Sequence, residues 1–223
     1  MPLGGRRRSV KRKVFGIGLN KTGTSTLGGC LTTLGYRHRS YSLRQVQRLR
    51  TQQWDALLAD YAAADSFEDW PTPRLYRQLD AAFPGSLFIL TRRRSTEHWL
   101  ASISDHALRT RWREGMLVRR TFYGCPYPQI NPALYRRTYE EHIAAVHEHF
   151  RERPHQLLEL CWEDERDWTR LCGFLGVPVP AVELPHINAG AGQREWRHRL
   201  INGLSWRLGR TLQGWRAGLN SGA

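Results

Sequence analysis

The sequence predicts an α/β fold: a three-layer sandwich in which a central parallel sheet of about five strands carries helices on both faces. Three observations carry that expectation. Short apolar runs that read as buried strands alternate with segments whose apolar residues recur at helical spacing. One run, Leu87-Phe88-Ile89-Leu90-Thr91, is apolar up to its last residue, as a strand covered on both faces must be. The chain also opens on a strand, a loop of small residues and a helix, the repeating unit of such sheets. A length of 223 residues with 40% hydrophobic content suits one domain with a helical extension.

In chain order, Val14 to Leu19 reads as the first strand, ended by a polar turn from Asn20 to Ser25. Apolar periodicity from Leu27 to Leu34 predicts a helix that Gly35 stops. Tyr36 to Tyr41 suits a short second strand. Ser42 suits the N-cap of a helical stretch from Leu43, broken near Thr51 and resumed through Trp54, Leu57 and Leu58. Tyr61 to Ala64 leads into a third strand, and the segment Asp65 to Pro71 holds that strand and the turn at its end. Thr72 and Pro73 open the next helix, with Leu75, Tyr76, Leu79 and Phe83 at helical spacing. Pro84-Gly85 turns into the strand at Leu87, and a helix from Ser95 or Thr96 carries Trp99, Leu100 and Ile103. Residues 112–131, aromatic and containing Pro126 and Pro128, read as irregular. Ala133 to Phe150 reads as a long helix and His155 to Leu160 as the last strand. Asp164 suits the cap of a helix with Trp168, Leu171 and Phe174, ended at Gly176. Beyond Pro178 and Pro180 the chain reads as irregular through His186-Ile187-Asn188. A final helix from about Glu195 bears Trp196, Leu200, Leu204, Leu208 and Leu212 among arginines.

Three regions result: a basic, disordered leader over residues 1–12, an α/β domain over 13–190, and a basic amphipathic helix within 191–223. That helix is expected to pack on the domain or on a second copy of the chain, and its pattern also suits a membrane surface. The formal charge of +14 invites a nucleic-acid partner, but the basic residues are spread along the chain without a nucleic-acid-binding motif. A surface that draws in an anionic small molecule is the preferred reading. Cys30, Cys125, Cys161 and Cys172 lack ligand spacing and fit reduced thiols of a cytoplasmic protein, with no metal centre. No apolar run approaches the roughly 20 residues of a membrane span.

The first loop is the chemical centre of the sequence. A strand that ends in Asn20-Lys21-Thr22-Gly23-Thr24-Ser25-Thr26 and re-enters a helix turns backbone N–H groups and a helix N-terminus toward one point. Lys21 adds a mobile positive charge. The chain has only three lysines, Lys11, Lys13 and Lys21, so a compact ammonium was kept here in a protein that otherwise uses arginine. The order is not G-x-x-x-x-G-K-[ST], because this lysine stands two residues before the glycine. The bland alternative is an ordinary strand-to-helix turn.

The block Asn20-Lys21-Thr22-Gly23-Thr24-Ser25 resembles the 5′-phosphosulfate loop of sulfotransferases that use 3′-phosphoadenosine 5′-phosphosulfate (PAPS), in the branch that opens with G-x-x-K-T-G-T. The segment Leu90-Thr91-Arg92-Arg93-Arg94, followed by Trp99 and Ser102, resembles the 3′-phosphate segment of that family. Alignment from Leu90 selects Arg93 and counting back from Ser102 selects Arg94. The resemblance covers roughly residues 13–190 and implies a P-loop NTPase-like fold. It implies that Asn20, Lys21, Thr22, Gly23, Thr24, Ser25 and Thr26 hold the 5′ side, that Arg93 or Arg94 with Ser102 holds the 3′-phosphate, and that Lys21 stabilises the leaving group. It also implies a base at the end of the third strand, Asp69 or Glu68, and no metal. A hydroxyl or amine on a small molecule or glycan would be the acceptor, lodged against residues 104–131. The rival readings are a magnesium-dependent ATP- or GTP-binding kinase-like protein and a non-enzymatic anion or membrane-surface module.

Overall fold

Alternation along two neighbouring strands builds the two halves of the core. The computed structural model describes residues 11–165, 167–185 and 195–220, and in the last helix the side chains of residues 197–211. Strands β1 (Val14–Gly16), β2 (His38–Arg39), β3 (Ser66–Phe67), β4 (Leu87–Arg92) and β5 (Leu157–Cys161) form one all-parallel sheet ordered β2-β3-β1-β4-β5. Val14, Leu87 and Ile89 point to one face and pack with Leu27, Cys30 and Leu31 of α1 (Thr24–Thr33) and Leu171 and Cys172 of α8 (Thr169–Leu175). Their neighbours Phe15, Phe88 and Leu90 point to the other. There they meet Tyr61 of α3 (Trp54–Ala62), Leu79 of α4 (Tyr76–Ala82) and Phe150 of α7 (Pro132–Phe150). This is the three-layer arrangement expected from the alternation of elements.

Local signals set most boundaries. Gly35 follows α1, with the Tyr36 N–H returning to the Leu31 carbonyl at 3.0 Å. The Ser42 hydroxyl accepts the Gln45 N–H at 3.3 Å and so caps α2 (Leu43–Arg50), and the chain breaks at Thr51 before α3. Four features depart from expectation. Thr72–Arg74 is a short 3-10 turn, and α4 begins only at Tyr76. Asp164 caps nothing: its carboxylate takes the Arg94 guanidinium, and Asp167 accepts the Thr169 N–H at 2.7 Å at the start of α8. Residues 112–123, read as irregular, are the helix α6 (Trp112–Tyr123). The two prolines lie beyond its end, and packing outweighs the weak helix propensity of its aromatics: Phe122 stacks on Trp70 at 4.0 Å and Tyr123 on Tyr135 at 4.5 Å.

The fourth departure concerns α9 (Glu195–Asn220), which lies on α5 (Thr96–Arg109) and α6. Its anchor is polar. Asn202 is fully buried, donates to the carbonyls of Leu108 and Thr110 at 3.0 Å each and accepts the Tyr127 hydroxyl at 2.7 Å. The leucine row is not the packing face: Leu200, Leu204 and Leu208 are 58%, 60% and 67% exposed. The side chains of Trp196 and Leu212, and residues 1–10, 186–188 and 190–194 that figured in the sequence reading, lie outside the described residues.

Lys11 and Lys13, on either side of the domain's start, are structural. Lys11 Nζ donates to the Leu34 carbonyl at 2.7 Å at the end of α1. Lys13 Nζ donates to the Tyr61 carbonyl at 2.7 Å and also reaches those of Ala62 and Ala64, satisfying the end of α3 with charge of the sign that end attracts. Lys13→Ala is therefore expected to destabilise the fold by about 1–2 kcal/mol. The check is the urea midpoint, and an unmoved midpoint overturns the capping role.

Candidate active site

Parallel strands bring their carboxyl ends to one edge, and four of them carry the chemistry-bearing residues there. The loop after β1 is held by its neighbours rather than by itself. The Thr22 hydroxyl donates to the Leu19 carbonyl at 2.6 Å and meets the Thr91 hydroxyl of β4 at 2.7 Å. The Asn20 carbonyl accepts Trp99 Nε1 at 3.0 Å, and its side-chain oxygen accepts the Tyr123 hydroxyl. Arg93 Nε donates to the Lys21 carbonyl at 2.8 Å. The lysine turn and the arginine segment, distant in sequence, thus touch.

Beyond the loop, Gly23 is the N-cap of α1 and supplies no side-chain cap, so the helix's first-turn N–H groups are left without one. Gly23 sits at φ 91°, and a Cβ there would stand 2.2 Å from the Trp162 ring, so only glycine fits. Trp162 Nε1 is buried and has no hydrogen-bond partner among the described residues. An uncapped helix start beside an orphaned indole N–H fits a bound anion. Of the loop hydroxyls, Ser25 is exposed and those of Thr24 and Thr26 belong to buried residues. The Thr22 hydroxyl points inward and ties the loop to β4.

Lys21 itself adopts φ 69°, an unfavourable region for a side chain of this kind. Nζ makes no hydrogen bond or ion pair among the described residues. Burial, and then the positive charges of Arg109 and Arg93, lower its pKa, while Asp105 and Asp69 oppose the shift.

The three arginines at the end of β4 separate. Arg92 pairs with Glu159 of β5. Arg93 bridges the loop to Glu163, its Nη1 3.1 Å from the carboxylate. Arg94 is 57% exposed and turned outward onto Asp164 at 2.7 Å. Ser102, half-buried on α5, makes no hydrogen bond among the described residues.

The acidic candidates also separate. Asp65 precedes β3, at the opposite end of the strand, where Arg37 holds its carboxyl down to about 2. Glu68 is 2% exposed and turned beneath α1, where it accepts the Ser40 hydroxyl and lies 3.7 Å from His38 Nε2. Asp69 instead lines a cavity of about 290 Å³ between the loop, β3, α5 and α6. Burial, and then the adjacent Glu68 charge, push its pKa up to about 7, against the Trp70 N–H that it accepts at 2.7 Å and the nearby Lys21. A carboxylate poised there can take a proton near neutral pH.

Around Asp69 the wall is Asn20, Tyr41, Trp70, His106, Thr110 and Arg111, completed by Glu114, Gly115, Val118 and Arg119 of α6. Residues 104–131 do supply much of it, but their aromatics do not: Phe122, Tyr123 and Tyr127 are buried beneath. Sequence reasoning gave His106 a surface or core role and no partner; in the cavity wall its pKa falls to about 3 through burial and then the charge of Lys21, leaving the ring neutral. Its four-residue offset from Ser102 on a helix was the available signal. Trp162 was missed, although it directly follows the last strand. Arg119 could not be found while its segment read as irregular.

Comparison with known proteins agrees with this geometry. The chain is 26% identical over 236 residues to "Ava biosynthesis cluster protein M" of Aspergillus versicolor, with 87% of each chain covered. A family model described as "Sulfotransferase domain" matches residues 13–192. With the loop, the arginine and the cavity carboxylate on one sheet edge, that match over most of its length means that the chain belongs to the sulfotransferase domain family.

Proposed function

We propose that the protein transfers a sulfuryl group from PAPS to a hydroxyl or amine held in the cavity beside Asp69. The observation that carries this reading is the contact between the Lys21 turn and Arg93, with Asp69 opening onto a cavity at the same edge. PAPS supplies a sulfuryl group already bonded to a phosphate leaving group. The first-turn N–H groups of α1, with Thr24, Ser25 and Thr26, bind the 5′-phosphate. Trp162 closes over Gly23 and offers its N–H. Arg93 and Ser102 bind the 3′-phosphate, and Arg94 stays on the surface with Asp164. Asp69 takes the acceptor proton as the acceptor oxygen or nitrogen bonds to sulfur and the bond from sulfur to the bridging oxygen breaks. Lys21 Nζ stabilises the charge that develops on that oxygen. Glu68 remains buried and contributes the neighbouring charge that raises Asp69. The name of the Aspergillus versicolor relative, a biosynthesis cluster protein, supports a small-molecule acceptor over a polymeric glycan.

Isothermal titration in EDTA with 3′-phosphoadenosine 5′-phosphate (PAP), 5′-AMP and ATP tests the donor site. PAP is expected to bind at least tenfold more tightly than either. Arg93→Ala is expected to weaken PAP about 10- to 100-fold, the loss of a charged hydrogen bond worth about 1.5–3 kcal/mol, with little change for 5′-AMP. Arg94→Ala should leave both nearly unchanged. Equal affinity for ATP and PAP refutes the donor, and equal losses of PAP and 5′-AMP in Arg93→Ala refute the 3′-phosphate role.

A further inference from the structure

Arg119 has the charge balance of a group waiting for a partner. It is 2% exposed, yet among the described residues no carboxylate pairs with it. Its guanidinium is nonetheless fixed on several sides. Nε donates to the Pro126 carbonyl, Nη1 donates to the Thr110 hydroxyl at 2.8 Å, and the group lies over the Tyr127 ring at 4.9 Å. One turn earlier on α6, Gly115 leaves the space it fills, since a Cβ there would stand 2.9 Å from Nη1. The remaining nitrogen, Nη2, is buried and has no hydrogen-bond partner among the described residues.

A buried cation without a counter-charge is strongly unfavourable, and an unsatisfied donor beside it adds to that. The acids nearby are committed elsewhere. Glu114 accepts the Tyr41 hydroxyl at 2.8 Å and faces Arg111, and Asp69 accepts the Trp70 N–H. Arg119 and Asp69 line the same cavity.

We propose that Arg119 Nη2 receives a carboxylate of the acceptor, so that the substrate class is a small hydroxy- or amino-carboxylic acid. The assignment rests on the acceptor site proposed above and names what that site selects. Nη2 is the only guanidinium nitrogen left over, which suits one carboxylate oxygen rather than a phosphate gripped by the whole fork. Trp70, Val118 and the Tyr41 ring supply apolar walls for a flat or aliphatic body between the two ends. A cavity of about 290 Å³ encloses a small molecule of this kind.

The test compares acids with their methyl esters, using 4-hydroxybenzoate, 4-hydroxyphenylacetate and tyrosine. Binding to the PAP-loaded full chain is measured by titration, and sulfuryl transfer from labelled PAPS is measured separately. At least one acid is expected to bind tenfold or more tightly than its ester, and Arg119→Gln is expected to bring that ratio within threefold of unity. No acid preference in the wild type, or a preference that survives Arg119→Gln, overturns the proposal. A crystal soak of the wild type with the preferred acid reads the same point without any variant: carboxylate on Nη2 supports the assignment, and carboxylate elsewhere overturns it. The two readings fail separately. Arg119-dependent binding of an acid without any transfer sinks the sulfotransfer reading alone, and transfer to neutral phenols without acid preference sinks this one alone.

Discussion

Replacing Lys21 with alanine is expected to lower kcat by about 10²–10³-fold, the range found when one donor to a developing oxyanion is removed. PAP binding should weaken less than tenfold, because the helix N-terminus, Trp162 and Arg93 remain. The asymmetry follows from where Lys21 sits. Lys11 and Lys13 are each tied to helix-terminal carbonyls, whereas Lys21 Nζ has no such tie and lies in the field of Asp69, Arg93 and Arg109. Its left-handed backbone, φ 69°, carries strain at a position where folding alone favours glycine or asparagine. The lowered pKa adds a second signature. An ammonium that must stay protonated gives an alkaline limb in the pH profile below that of an ordinary lysine. Lys21→Arg should not restore turnover, since a planar fork does not replace a compact charge. A kcat within tenfold of wild type in Lys21→Ala would falsify the leaving-group role.

Asp69→Asn is the second large effect, with kcat/KM expected to drop by about 10²–10⁴-fold, the usual worth of a positioned general base. Asparagine tolerates the φ of 62° and keeps an acceptor for the Trp70 N–H, so the loss should be chemical rather than structural. In the wild type the acid limb of kcat/KM should fall near pH 7, where Asp69 loses its proton, with activity rising as pH rises. Stability should move the other way. The carboxyl has a higher pKa folded, about 7, than its ordinary 3.8, so the native state holds the proton more tightly than the unfolded chain. Its contribution is fully present below about pH 4 and is lost as pH rises toward 7. Asp69→Asn should therefore melt at about the wild-type temperature at pH 4 and above it at pH 8. A variant no more stable at pH 8 would show that Asp69 is not held in the strained protonation state described, and an unchanged acid limb would remove it as the base.

What could be read in advance divides along a physical line. The strand at Leu87, the break between α2 and α3 at Thr51, the cap at Ser42 and the stop at Gly35 are all written within a few residues. Apolar period, capping hydroxyls and glycine act locally, and local signals survive in a bare sequence. Helix α6 was illegible for the opposite reason. Its residues form a helix because Trp70 and Tyr135, from elsewhere in the chain, stack on it.

The same line runs through the active-site candidates. By itself the sequence determined the parallel α/β class and singled out the glycine-bearing turn around Lys21 and the arginine segment at Arg93 and Arg94, because each is a contiguous pattern. Only the tertiary structure separated Arg93 on the loop from Arg94 on Asp164, and Asp69 in the cavity from Glu68 under α1. Adjacent residues leaving a strand point in opposite directions, and what each meets depends on helices far away in the chain. Arg119 is the extreme case: that its buried Nη2 has no hydrogen-bond partner among the described residues is visible only once the chain is folded.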